Sequence, residues 1–159
     1  MKAFCRVERG EIKKMIISDE EFEQLKKELE ADEGRRKKAY KDSKGNWTIG
    51  IGHFLRYEVS DWTDEDIDKG FKADILSAIN DLNLRLPWWT SLDRVRQRAL
   101  INLCFNMGIT GLLSFQNMLY FLKSKSYEKA ADHLKLSQWF RDVQKDRSSR
   151  IVKQIREGI

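Results

Sequence analysis

Apolar residues recur at helical spacing from Ser18 onward. Phe22, Leu25 and Leu29 form one stripe, and Ser18 with Glu21 makes a capping-box pattern ahead of it. Acids crowd the first turn, where the helix dipole favours them. The spacing predicts a helix over 18–33, stopped by Gly34, because glycine accepts positive φ without a Cβ clash. The period then shortens to that of a strand. Lys38 to Asp42 and Trp47 to Gly52 read as extended runs around a Ser43-Lys44-Gly45-Asn46 turn. Trp47, Ile49 and Ile51 form the face expected in the core. Thr48, Gly50 and Gly52 form the other, nearly bare of side chains, against which something large can lie. A three-residue loop, Lys44-Gly45-Asn46, sets Asp42 opposite Thr48 on that bare face.

Helical periodicity returns after Thr63, which with Asp66 repeats the capping pattern. Ile67, Phe71, Ile75, Ile79 and Leu82 predict a long helix over about 64–82. Leu86-Pro87-Trp88-Trp89-Thr90 breaks it. Ser91 is the expected cap of a helix running to about Met107 and closed by Gly108. Leu92, Val95, Ala99, Leu100, Leu103, Cys104 and Met107 nearly encircle its second half, which marks a central helix. Four short helical segments follow, over 114–123, 126–134, 137–141 and 146–157, each opened by Ser or Asp as N-cap. Residues 1–17 read either as a hairpin around Arg9-Gly10 or as a partly ordered tail. The pattern as a whole gives an α+β, mainly α chain, one domain or two lobes sharing a linker, with its strands near the N-terminus.

Charge adds an asymmetry. Residues 1–86 carry 17 Lys and Arg against 19 Asp and Glu, a balance of −2; residues 87–159 carry 13 against 6, a balance of +7. A basic half suggests an anionic partner, and bacterial cell walls and nucleic acids both qualify. No recognised nucleic-acid-binding motif occurs, so that partner is not expected. Cys5 and Cys104 stand far apart with no CxxC, and the two histidines are distant, which argues against a metal site and for a reducing compartment without a disulfide. Apolar runs fall far below the ~18 residues of a membrane span. Charges interrupt the first 17 residues, so no secretory signal is recognised.

The chemistry lies in the stretch from Ala31 to His53. It offers a carboxylate at a helix end, Glu33, a second on a strand, Asp42, and a hydroxyl, Thr48. Two carboxylates flanking a bond, one protonated and one ionised, with a held water, suit glycoside hydrolysis. A Glu and an Asp nine positions apart in a chain that is 35% charged are, taken alone, ordinary surface residues.

The wider motif decides between these. Glu33, eight residues, Asp42, five residues, Thr48, inside D-E-G…Y-K-D…G…T-I-G-I-G-H, resembles the catalytic signature of the phage-type lysozymes, the T-even phage enzymes in particular. Ser91-Leu92-Asp93-Arg94…Ala99-Leu100-Ile101-Asn102…Phe105-Asn106-Met107-Gly108 and Glu128-Lys129-Ala130-Ala131…Ser137-Gln138-Trp139 extend the likeness over roughly 22–157. The resemblance implies a lysozyme-like fold: a small β lobe, a long connecting helix and a helical lobe. It implies a muramidase acting on peptidoglycan, with no cofactor, as an endolysin held in the host cytoplasm until released to the wall. It implies Glu33, Asp42 and Thr48 as catalytic residues. Arg147 matches a partner of the glutamate and Arg150 a partner of Asp32. His53 pairs with the position of Asp74, a structural role. Phe54, Phe105, Met118 and His133 match substrate-binding positions. A monomer without stable membrane insertion is expected. The short segment between His53 and the long helix speaks against a third strand. A catalytically silent wall-binding protein on the same fold is the alternative, and intact Glu33, Asp42 and Thr48 argue against it.

Overall fold

The computed structural model describes residues 17–159, so the stretch around Arg9-Gly10 that reads either as a hairpin or as a tail, and Cys5, lie outside the described residues. In chain order the elements are α1 (Asp19–Glu33), β1 (Arg36–Lys41), β2 (Trp47–Gly50), β3 (His53–Leu55), α2 (Asp64–Arg85), a 3-10 turn (Pro87–Ser91), α3 (Arg94–Leu113), α4 (Gln116–Lys123), α5 (Tyr127–Lys135), α6 (Gln138–Asp142) and α7 (Lys145–Glu157). This is the α+β, mainly α architecture that the sequence predicts.

The sheet is antiparallel in the order β1-β2-β3. The third strand is present after all. It needs only three residues, and Thr48 pairs with Phe54 and Ile49 with His53 to form it. The hairpin loop has odd length, as expected, but its register is shifted. Tyr40, not Asp42, stands opposite Thr48, and Lys41 opposite Trp47. Asp42 instead closes the loop, its N–H donating to the Asn46 carbonyl at 2.9 Å and its carbonyl accepting from Gly45 at 3.0 Å. Gly45 takes the left-handed conformation at φ +82° and makes the three-residue turn Ser43-Lys44-Gly45 possible. The glycine face of β2 is not open either. A Cβ on Gly50 would stand 3.3 Å from Ile67 and 3.4 Å from Trp62, and one on Gly52 3.1 Å from Glu33. The chain's own side chains fill that face.

Helix starts follow local chemistry more than spacing. Thr63 and Asp66 complete a reciprocal capping box on α2. Ser18 accepts from Glu21 N–H, but the Glu21 carboxylate turns away to Arg98 instead of reaching back. Ser91 does not cap α3; it closes the 3-10 turn, and Asp93 caps α3 by accepting from Arg96 N–H at 3.0 Å. Gly108, at φ +74°, kinks α3 where the sequence predicts its end. Ser137 caps α6, whereas Ser126, ahead of α5, makes no side-chain cap bond, and α4 and α7 begin without Ser or Asp caps.

The core runs between α1, α2, α3, α5 and α7 and includes Leu25, Leu29, Phe71, Ile75, Leu100, Leu134 and Ile151. Trp89 is fully buried within it and its Nε1 donates to Asn83 at 2.8 Å. α3 is central, as predicted, yet it is not apolar all round: Arg98 and Asn102 are buried too. They meet a polar stripe on α1. Glu21 pairs with Arg98, Glu28 accepts from Gln154 at 3.1 Å, and Asp32 accepts from Asn102 at 3.1 Å and Arg150 at 2.6 Å. α1 thus docks on α3 and α7 through a ladder of buried pairs beside its apolar stripe. No single helix among the described residues is long and apolar enough to cross a membrane.

Candidate active site

Glu33 is the last residue of α1, and Gly34 ends the helix behind it at φ +77°. Arg147 Nη1 donates to Glu33 Oε1 at 2.6 Å. The same guanidinium donates from Nε and Nη2 to Asn102 Oδ1, at 3.1 and 2.9 Å, so its plane is fixed from two sides. Asp32 is 3% exposed at its side chain and holds Arg150 at 2.6 Å, with Arg147 Nε at 3.3 Å. Both arginines therefore stand against the acids that the resemblance assigns them. Gly52 lies over the Glu33 side chain so closely that any Cβ there would press on it. Glu33 keeps 24% of its side chain accessible.

Asp42 is held by its own turn. Its Oδ1 accepts from the N–H groups of Lys44 and Asn46 at 2.9 and 2.8 Å, and Oδ2 from Asn46 Nδ2 at 3.2 Å. The Asn46 backbone bond foremost, with the Asn46 side chain, Lys44 N–H and the Lys44 charge, keeps this carboxyl below the usual range. Thr48 is buried and donates to the Asn46 carbonyl at 3.2 Å. Tyr40 pairs with Thr48 across the strands and carries the Arg36 guanidinium over its ring at 4.3 Å. Burial raises the Tyr40 hydroxyl above its ordinary value; Arg36 opposes this, and the charges of both Glu33 and Asp42 reinforce it. Tyr40 therefore lies within the field of both carboxylates.

His53 Nδ1 meets Asp74 Oδ2 at 2.7 Å, with the ring against Trp62. Trp62 fits because Gly50 and Gly70 leave it room. Phe54, 61% exposed, and Phe105 line one cavity of about 230 Å³, together with Ser77 and Asp81 from α2. The other two candidate substrate residues are elsewhere. Met118 is 1% exposed in the core, and His133 stacks on Phe121 with ring centroids 5.2 Å apart. Among the described residues, no group of three His, Cys, Asp or Glu side chains is placed to hold a metal.

The phage lysozyme family model matches residues 30–156, which include Glu33, the whole sheet and nearly all of α7. The chain belongs to the phage lysozyme family. Its relatives span several settings. It is 28% identical to "Probable T4-type lysozyme 2" of Dictyostelium discoideum, over 84% of this chain and 94% of that protein. It is 34% identical to the endolysin of Salmonella phage P22, over 74% of this chain and 80% of that one. It is 31% identical to the pre-baseplate central spike protein Gp5 of Enterobacteria phage T4, over 82% of this chain but only 27% of the spike protein. Within this family member, sequence reasoning did not single out Tyr40, Asn102, Ser77 or Asp81. Asn102 did leave a signal: it is a lone amide in the run Ala99-Leu100-Ile101-Asn102-Leu103-Cys104. Tyr40 left none that its register shift would not have hidden.

Proposed function

We propose that the protein is a muramidase that hydrolyses the β-1,4 bond between N-acetylmuramic acid and N-acetylglucosamine in peptidoglycan. Glu33 donates the proton to the leaving oxygen. Asp42, ionised, takes a proton from a water that Thr48 helps to hold. The observation that carries this reading is Glu33 itself: an accessible carboxylate at a helix end, gripped by Arg147 and overlain by Gly52. A water on the far side of the sugar gives inversion. The likeness to the endolysin of phage P22 supports a role in host lysis. In that role the enzyme works as a monomer, waits in the host cytoplasm and reaches the wall on release.

Glu33→Gln keeps the shape and removes the proton. Wall lysis, followed by turbidity, falls by at least ~100-fold while the circular dichroism spectrum is unchanged. Near wild-type lysis overturns the assignment. The anomer released first, read by NMR before mutarotation, is α for inversion. An initial β product reassigns Asp42 as nucleophile or electrostatic stabiliser.

One observation favours a second reading, a wall-binding protein without catalysis. Three hydrogen bonds within its turn occupy the Asp42 carboxylate. Under that reading Glu33→Gln and the wild type bind walls equally and neither clears them.

A further inference from the structure

The site's acids are hydrogen-bonded within the protein, Asp42 by its own turn, with one exception. Glu33 has Arg147, Asp32 has Arg150, and Asp74 has His53. Asp81 has no hydrogen-bond or ion-pair partner among the described residues, and it lines the cavity that Phe54 and Phe105 also line. Asp74, Ser77 and Asp81 lie three to four residues apart on α2, so they present one face to this space. The cavity walls carry two acids and no Lys or Arg, in a chain whose net charge is +5.

We propose that this cavity is a subsite for an ammonium-bearing part of the glycan strand, and that Asp81 selects the charge. The inference rests on the glycan-cleaving reading above and adds a preference within it. Three properties converge. At about 230 Å³ the cavity is smaller than the ~300–1,000 Å³ of drug-sized ligand sites, so it admits one ring or one side-chain end. Its phenylalanines offer a sugar its apolar walls and attract a cation through their ring faces. The unmatched carboxylate supplies the opposite charge for a charge-assisted hydrogen bond. The Cys104 thiol on the same wall is pushed up to about 12, by burial first and by the negative charge of Asp81 second. It stays protonated and leaves Asp81 as the charged group there without a partner. Peptidoglycan can present an ammonium from two sources, a sugar without its N-acetyl group or a free amine of the stem peptide.

The test reads binding apart from hydrolysis. In a Glu33→Gln background, which leaves the probes intact, NMR titration follows the backbone amides of Ser77 and Gly108. Two probe pairs are compared: glucosamine against N-acetylglucosamine oligomers, and a muropeptide with a free side-chain amine against the same muropeptide acetylated. At least one ammonium-bearing probe binds about tenfold more tightly than its acetylated counterpart, and Asp81→Asn abolishes the difference. Asp81→Ser removes the charge a second way, should one variant misfold. The pair that shows the preference identifies the source. Equal affinities within both pairs, or a preference that survives loss of Asp81, overturn the subsite. A protein with the preference that clears no wall overturns the reaction and leaves the subsite standing.

Discussion

Asp42 serves two purposes at the scale of a single residue: it caps the Ser43-Lys44-Gly45 turn and it is the candidate base. Its hydrogen bonds favour the ionised form, so the folded state holds this carboxyl below its ordinary value. The turn's contribution is therefore complete above the ordinary carboxylate range and is lost as pH falls through the lowered value. The Asn46 amide, which donates to Asp42 at 2.8 Å, reports it directly. Its NMR shift should titrate with a midpoint below that of an unstructured aspartate, and should not titrate in Asp42→Asn. A midpoint at or above the ordinary value contradicts the hydrogen-bonded turn. Glu33 was legible as the end of a capped, striped helix. The position of Asp42 was less so. Which of Gly45 and Asn46 takes the left-handed conformation decides whether Asp42 faces Thr48 or Asn46, and both residue types tolerate it.

The docking of α1 is the clearest feature at the scale of an element. Its rungs are not equally good. Glu21 meets Arg98 with both side chains largely buried, and Asp32 is fully engaged. The middle rung leaves Glu28 Oε2 and Gln154 Oε1 buried without partners. Arg98→Met strips Glu21 and Glu28 of their cation and should cost about 3–5 kcal/mol. Replacing Glu28 and Gln154 together by leucine removes under-satisfied groups and leaves Arg98 its closer partner Glu21, so it should cost far less than Arg98→Met. Urea unfolding measures both, and equal losses would show that the rungs are equivalent. Helix existence was legible here because the apolar stripes are long and periodic. The ladder was not, because Arg98, Gln154 and Arg150 lie 77, 126 and 118 positions from their partners. The third strand was hidden for a different reason: three residues are too few to show an alternation. The filled glycine face depends on Trp62 and Ile67, which tertiary packing alone brings there.

For the whole molecule, charge is divided between the two parts of the chain. The residues from Pro87 onward carry +7, while those before it carry −2. On an anionic wall this half supplies long-range attraction, which salt screens over a Debye length of about 10 Å at 0.1 M. KM for intact walls should rise several-fold between about 0.05 and 0.5 M salt, while kcat on a short neutral oligomer stays constant. A salt-independent KM would mean that the basic half has no part in recruitment. The same division has a meaning in time. Arg147 and Arg150 lie 114 and 118 residues after the acids that they hold. At a synthesis rate of about 5–20 residues per second, Glu33 emerges roughly 6–23 s before Arg147 does. Throughout that interval Asp32 and Glu33 lack the arginines that hold them in the folded protein. The docking of α7 ends it, and it brings both arginines at once. A nascent chain interrupted short of α7 already contains every residue proposed to touch the reacting bond, yet it lacks the group that orients the first of them. The docking of α7 is thus the completion mark of the site.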